Sequence, residues 1–205
     1  MYDWRKMTPE QREEALTKRL IRHYPWHSPP HQEKNFNNYL ISAACFEHKP
    51  HIGKSAQRMA DFESQLLAVF DKHTSKIHAW CVLPNHYHVL AEITSEITSL
   101  DDLTDEIGEM HGRISYEWNQ EDQLTGRQVW HRCSDRGMRS QRHFLSSLNY
   151  VHNNPVRHGY VTHWQDWPFS SAKMYLESVG RKEAERVWRE YPLLKYGDKW
   201  DLPEW

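Results

Sequence analysis

Two strand-like segments separated by only two residues place the strongest limit on what this chain can fold into. Residues 76–83 (KIHAWCVL) and 86–93 (HYHVLAEI) are rich in β-branched and aromatic side chains, and Pro84 and Asn85 stand between them. A connection this short joins neighbouring antiparallel strands. The chain is therefore predicted to contain a β-hairpin around which the other elements are arranged.

The segments on either side of the hairpin predict a mixed fold. Residues 38–46 are strand-like, and 55–73 carry apolar side chains at helical spacing with Ser55 as the N-cap. An acidic helix over about 100–118 is followed by Gly126, a strand over 128–133, and a helix over 141–153 that ends at Pro155 and Gly159. The order β, α, β, β, α, β, α predicts an α+β, ferredoxin-like sandwich, with an antiparallel sheet and helices on one face.

The length of 205 residues fits one domain with extensions. Residues 1–34 predict a charged helix and a proline-rich linker, with Thr8, Pro9 and Gln11 in capping positions and His27 and His31 in the solvated linker. Residues 35–175 are assigned to the main domain, and 176–205 to a C-terminal helix and tail. Neither a membrane-spanning run nor a secretory signal is recognised, and the three cysteines are widely spaced, so we expect a cytoplasmic protein with reduced thiols.

The formal net charge of -2 argues at first against a nucleic-acid binder. The charge is, however, unevenly distributed: residues 94–122 hold nine acidic side chains against Arg113 alone, whereas 127–173 hold seven basic side chains against two acidic ones. Two interpretations stay open. Either an acidic and a basic helix are simply solvated side by side, or the basic half forms a surface for phosphates.

His86 and His88 are two residues apart on a predicted strand. Alternation along a strand directs both imidazoles to one face and sends Tyr87 and Val89 to the opposite, core face. Imidazole nitrogens are common metal ligands, so the pair is a candidate metal site. The alternative is two partly exposed histidines without a special role.

A second candidate set lies on the predicted helix over 141–153, where His143, Ser147, Tyr150 and Asn154 share one stripe. Tyr150 and Asn154 are one turn apart, so a phenol and an amide project together. The alternative is that Tyr150 is a packing residue and Asn154 is the C-terminal cap before Pro155.

Three segments carry a resemblance to a known family: 83–90 (LPNHYHVL), 148–161 (LNYVHNNPVRHGYV) and 166–171 (DWPFSS). In this order they closely resemble the REP-associated tyrosine transposases, a branch of the single-tyrosine HUH transposases, over roughly residues 24–175. The resemblance implies the ferredoxin-like fold, His86 and His88 as a metal-binding pair, Tyr150 as the nucleophile and Asn154 as a further metal ligand. Tyr87 departs from the family pattern, in which the residue between the histidines is more often aliphatic.

The resemblance also implies an activity, which is Mg²⁺- or Mn²⁺-dependent cleavage and strand transfer of single-stranded DNA at or near palindromic hairpins through a 5′-phosphotyrosine. Single-stranded or hairpin DNA is the expected partner, a homodimer is left open, and the expected location is the cytoplasm, in association with the nucleoid. Five arginines near the nucleophile are expected to contact phosphates: Arg132, Arg136, Arg139, Arg142 and Arg157.

Four aromatic residues, where exposed, could stack on bases: Trp130, Tyr160, Trp164 and Trp167. Two other functions stay open. One is a hairpin DNA-binding protein of the same fold that breaks no bond, and the other is a metal-dependent hydrolase that uses water.

Overall fold

The structure is a computed structural model that describes residues 8–11, 13–14, 17, 37–94 and 98–198. These residues belong to two compact units, one holding the described residues up to Thr17 together with 197–198, and one spanning 37–196. In the first unit, Thr8 and Gln11 exchange the two side chain to backbone hydrogen bonds of a capping box, as predicted. The predicted linker over 24–31 lies outside the described residues. No helix in the described part of the chain is long and apolar enough to cross a bilayer.

The second unit is built on a four-stranded antiparallel sheet in the order β2-β3-β1-β4. The strands are β1 (Asn38–Ala44), β2 (Lys76–Val82), β3 (His86–Glu92) and β4 (Ser134–Gly137). The helices are α1 (Ala56–His73), α2 (Leu100–Glu121), α3 (Gln141–Arg157), α4 (Ala172–Val179) and α5 (Arg181–Glu190). The predicted α+β class and the hairpin of β2 and β3 are confirmed.

The main hydrophobic core lies between one face of the sheet and helices α1 and α2. Tyr87, Val89 and Ala91 point into it from β3, and they belong to the same buried cluster as Phe62 of α1 and Ile107 of α2. Ser55 caps α1 by accepting a hydrogen bond from the backbone N–H of Arg58, and Ser99 and Asp102 form a capping box at the start of α2. Both helices therefore begin where the sequence predicts.

Helix α3 lies against the opposite face of the sheet. The side chains of His86 and His88, which alternate with the core residues of β3, contact Tyr150 and Asn154 of α3. The structure therefore has helices on both faces, whereas the sequence-based prediction had placed them on one. The reason is that β3 is buried on both sides, with His86, His88 and Leu90 covered on its second face.

Two predicted elements are wrong in their bounds. The fourth strand is Ser134–Gly137 and not 128–133, because Val129 and Trp130 are buried in the main core and Trp130 forms only an isolated bridge with Cys45. Helix α3 does not end at Pro155 but continues to Arg157. A proline lacks one N–H donor, which is tolerated here in the last turn, and Gly159 with φ of 75° closes the helix.

The turn between β2 and β3 is clamped by the loop that follows β1. The backbone N–H of Gly53 donates to the carbonyl of Pro84 at 2.8 Å, and that of Cys45 donates to the carbonyl of Asn85 at 2.7 Å. A Cβ atom on Gly53 would lie 2.3 Å from Cβ of Pro84. Only glycine allows this approach, because the proline ring cannot rotate away from its own backbone.

We predict that Gly53→Ala destabilises the protein by about 1–3 kcal/mol, because the added methyl overlaps a proline that cannot move aside. The measurement is the urea midpoint. Gly108→Ala is the matched control: Gly108 lies in α2 with no atom within 4 Å of a built Cβ, so alanine should stabilise the helix by about 0.5–1 kcal/mol. An unchanged midpoint for Gly53→Ala contradicts the close contact.

Candidate active site

The four residues singled out by the sequence meet at one buried point between β3 and α3. The hydroxyl of Tyr150 lies 3.1 Å from Nε2 of His88, and Oδ1 of Asn154 lies 2.9 Å from Nε2 of His86. The two imidazole rings are 5.1 Å apart between centroids. Tyr150 and Asn154 are fully buried, and His86 and His88 are 5% and 3% exposed. The arrangement joins a phenol, two imidazoles and an amide from contacting pairs that are 62 and 68 positions apart in sequence.

The other ring nitrogen of each histidine is held by a separate residue of the sheet or its turn. Nδ1 of His86 lies 2.7 Å from Oδ1 of Asn85, and Nδ1 of His88 lies 2.5 Å from Oγ of Ser42 on β1. Both rings therefore direct Nε2 towards α3. The sequence patterns did not predict these roles for Asn85 and Ser42; the one signal is that Asn85 is a polar residue next to the first histidine in a two-residue turn.

The C-terminal part of the second unit covers Tyr150 from the far side. The ring of Tyr196 lies 5.1 Å from that of Tyr150, and its hydroxyl lies 2.6 Å from Oγ of Ser147. Asn149 donates to the carbonyl of Tyr191 at 2.9 Å, and Arg157 donates to that of Tyr196 at 3.4 Å. Residues 191–196 thus pack back onto α3.

A third imidazole adjoins the pair and was missed in the sequence. His158 follows α3 as its C-cap, is buried, and places its ring 4.8 Å from that of His86. The signal that could have found it is its position four residues after Asn154, which continues the same helical stripe. Asn154 itself lies inside the helix, so its alternative role as the C-terminal cap is wrong.

Tyr87, the residue between the two histidines, takes no part in this arrangement. Its ring is buried in the main core, and its hydroxyl lies 3.2 Å from Nε2 of His111. Burial raises the pKa of the Tyr87 phenol well above its ordinary value and lowers the pKa of His111 to about 3, so both groups stay neutral. The departure of Tyr87 from the family pattern therefore changes packing and leaves the site's chemistry untouched.

Four of the five predicted phosphate-binding arginines are exposed along β4 and the start of α3: Arg132, Arg136, Arg139 and Arg142. Burial together with Arg136 and Arg139 lowers the pKa of His143, so these two cations lie near the stripe that carries Tyr150. Arg157 is half-buried against Tyr196. Basic side chains thus extend from the sheet edge towards the candidate site.

The four aromatic residues differ in their exposure. Trp130 is buried and its ring stacks on that of His111 at 4.1 Å, so it is not among the exposed residues that could stack on bases. Tyr160, Trp164 and Trp167 are half-buried. The ring of Tyr160 lies 6.4 Å from that of His158 and 5.3 Å from that of Trp167, so aromatic faces continue outward from the histidines.

Among the described residues, no group of three or more His, Cys, Asp or Glu side chains could hold a metal ion. The donor set at this point is of another kind, with two imidazole nitrogens and one amide oxygen. Such nitrogen and oxygen donors suit hard or borderline divalent cations, among them Mn²⁺, better than they suit soft ions that prefer thiolates. The residues present therefore fit a divalent cation with further coordination positions open.

No family model matches the chain. Over 97 residues it is 29% identical to the REP-associated tyrosine transposase of Escherichia coli (strain K12), a match that covers 47% of this chain and 53% of that protein. It is 24% identical over 135 residues to a putative REP-associated tyrosine transposase of Haemophilus influenzae, covering 58% of this chain and 75% of that protein. The chain thus matches about half the length of the first relative.

A solved structure has the same fold. It is the structure of a REP-associated tyrosine transposase bound to a REP hairpin, with a TM-score of 0.54 and 18% identity, covering 72% of this chain and 86% of that chain. The fold is α+β, and on it the histidine pair of β3 lies against a tyrosine of α3. The resemblance to the REP-associated tyrosine transposases is confirmed by the relatives in sequence and by the neighbour in fold.

Proposed function

We propose that this chain is a metal-dependent endonuclease and strand transferase for single-stranded DNA, which cleaves at or near palindromic REP-type hairpins through a 5′-phosphotyrosine on Tyr150. The observation that carries the proposal is the meeting of Tyr150 with His88 and of Asn154 with His86 at one buried point. In such a reaction the nucleophile and the cation have to contact the same phosphate. Here the Tyr150 hydroxyl lies within hydrogen-bond distance of His88, one of the proposed cation ligands.

The contacts of His86 support a cation at this point. Both of its ring nitrogens face amide oxygens, at 2.7 Å from Asn85 and 2.9 Å from Asn154. A neutral imidazole has a single N–H, so in that form only one of these two contacts is a hydrogen bond, and the other nitrogen keeps a lone pair that could bind a cation. Nε2 of His86 and Oδ1 of Asn154 lie side by side at 2.9 Å, so both would be available as donors to one divalent cation.

His86, His88 and Asn154 would hold the cation, with Mg²⁺ or Mn²⁺ as the ions that suit nitrogen and oxygen donors with open positions. When bound there, a divalent cation supplies positive charge that offsets the charge developing on the phosphate oxygens. The chain's own contribution is to place the Tyr150 hydroxyl against this set. A tyrosine phenol is a weak nucleophile unless nearby positive charge stabilises its phenolate.

The proposed reaction is a transfer of one phosphoester bond. The phenolic oxygen of Tyr150 bonds to phosphorus and gives up its proton, while the bond from phosphorus to the 3′ oxygen breaks. The 3′ oxygen takes up a proton and leaves as a hydroxyl. Because the phosphoester is conserved in the tyrosine adduct, the 3′-hydroxyl of another strand can attack it, restore the phenol and rejoin the DNA without ATP.

The proposed substrate rests on the fold neighbour and on the distribution of charge. The related structure is bound to a REP hairpin, and here exposed arginines extend from β4 to the start of α3. Such a basic strip suits a phosphate backbone, and the half-buried Tyr160 and Trp167 offer faces for unpaired bases. The strip and these aromatic faces support hairpin DNA with unpaired flanking nucleotides.

The complete burial of Tyr150 favours a second candidate, a hairpin-binding protein of the same fold that does not cleave. In the arrangement described, the ring of Tyr196 covers the phenol, so a phosphate reaches it only after that ring is displaced. A covalent adduct with DNA separates the two functions, because binding alone leaves none. A water-dependent hydrolase would likewise release products without an adduct.

We predict that Tyr150→Phe abolishes the denaturant-resistant protein–DNA band formed on a labelled single-stranded REP hairpin with Mn²⁺, while hairpin affinity changes by less than about threefold. The phenylalanine keeps the ring and removes the attacking oxygen. Tyr196→Phe is the matched control, since it removes the neighbouring phenol and should leave the band. A band of undiminished strength from Tyr150→Phe would remove that residue from the mechanism.

We also predict that the double variant Arg139→Ala/Arg142→Ala weakens hairpin binding about tenfold and lowers the slope of log affinity against log salt by about 1.5, as expected for two lost phosphate contacts. The measurement is fluorescence anisotropy across a salt series. The control is Arg186→Ala/Arg189→Ala on α5, where Arg186 pairs with Glu183 and Glu190. Equal losses in the two double variants would show that the effect is one of net charge alone.

A further inference from the structure

Asn85 connects the first histidine of the pair to the loop that follows β1. Its side chain is fully buried, with Oδ1 2.7 Å from Nδ1 of His86 and Nδ2 donating to the carbonyl of His48 at 3.0 Å. Its own backbone carbonyl accepts from the N–H of Cys45. Asn85 is thus held by two contacts of its side-chain amide and one of its backbone carbonyl, and it bridges the loop to the imidazole.

The contact with His48 fixes which end of the Asn85 amide faces His86. Only the NH₂ end can donate to a carbonyl, so the oxygen end is directed to the imidazole. An amide oxygen can only accept a hydrogen bond, and Nδ1 of His86 must therefore carry the hydrogen. A neutral ring then has its lone pair on Nε2, the atom that faces Asn154.

The second histidine lacks such a constraint. Nδ1 of His88 faces Oγ of Ser42, and a hydroxyl can donate or accept, so this contact allows either tautomer. The two members of the pair therefore differ in how firmly their protonation pattern is set. Only His86 has an acceptor-only partner on Nδ1.

The loop backbone holds the carbonyl of His48 at a conformational cost. Glu47 and His48 both have left-handed φ angles, 56° and 54°, which non-glycine residues rarely adopt. Such residues cost about 1–3 kcal/mol each and persist where the surroundings enforce them. Here the result of that conformation is a carbonyl directed at Asn85.

We infer that Asn85 is a positioning residue, which holds His86 in the Nδ1–H tautomer so that the lone pair of Nε2 is free for the cation that His86, His88 and Asn154 would hold. The inference rests on the proposed function for the use made of that lone pair, but the tautomer itself is a property of the folded chain. Outer partners of metal-binding histidines act in this way, and their loss typically costs about 10–100-fold in metal affinity.

The test is the tautomer of His86, read by long-range ¹H–¹⁵N NMR of histidine-labelled protein at about pH 8, where ordinary imidazoles are neutral. The His86 signal is assigned by its loss in His86→Gln. We expect the Nδ1–H form in the wild type and a shift towards Nε2–H in Asn85→Ala. Asn85→Asp restores an acceptor oxygen and is expected to return the Nδ1–H form.

Mn²⁺ affinity, measured by calorimetry, is the second readout, and Asn85→Ala is expected to lower it about 10–100-fold. Asn149→Ala is the matched control: it removes another buried amide, which donates to the carbonyls of Val187 and Tyr191 and does not contact His86. It should leave both readouts unchanged.

An Nε2–H form in the wild type overturns the inference without any variant, and so does an unchanged tautomer in Asn85→Ala or an equal shift in Asn149→Ala. Absence of Mn²⁺ binding by the wild type would instead count against the metal in the proposed function. The tautomer would still decide the role of Asn85.

Discussion

The period of two along β3 is the constraint on which the rest of this structure depends. Tyr87, Val89 and Ala91 enter the main core, and the histidines between them necessarily face the other way. Because β3 is an inner strand, paired with β1 and β2, neither set can turn without breaking two ladders of backbone hydrogen bonds. The burial of the core residues therefore fixes the direction of His86 and His88, and α3 needs only to lie across that face.

Helix α3 reaches the two histidines because it continues past Pro155 and so carries both Tyr150 and Asn154 as helical residues. Tyr150 and Asn154 are one turn apart, and each reaches a different histidine. Had the helix stopped before Pro155, Asn154 would be a terminal residue. Instead, backbone hydrogen bonds from His158 to Asn154 and from Tyr160 to Pro155 close the helix beyond the proline. Pro155 has no backbone N–H to donate. The hydrogen bonds of His158 and Tyr160 compensate for this loss, because they satisfy two carbonyls at the C-terminus of α3.

Parts of this site could be predicted from sequence because they follow local periodicity. The face of His86 and His88 follows from alternation on a strand, and the stripe of Tyr150 and Asn154 from helical spacing. That the two meet could not be derived from either pattern, and it entered as an implication of the family resemblance. Local patterns also could not place β4. Val129 and Trp130 favour a strand by residue type, but they are buried in the main core and lie before the strand. The strand itself, Ser134–Gly137, is polar and lies at the edge of the sheet, so it has no apolar pattern that would identify it.

The same topology accounts for how a chain with a slightly negative net charge can offer a basic face. The acidic residues of α2 that are exposed, among them Asp101, Asp105 and Glu109, belong to a helix that packs on the core side of the sheet. Arg139 directly precedes the N-cap of α3 and Arg142 lies in its first turn, and this helix packs on the other side of the sheet. The two charge sets are therefore separated by the sheet, and exposed charges further apart than about 8 Å are largely screened at physiological salt. The local field at the site is then set by its own neighbours, so the net charge of the chain is a poor guide to what this face can bind.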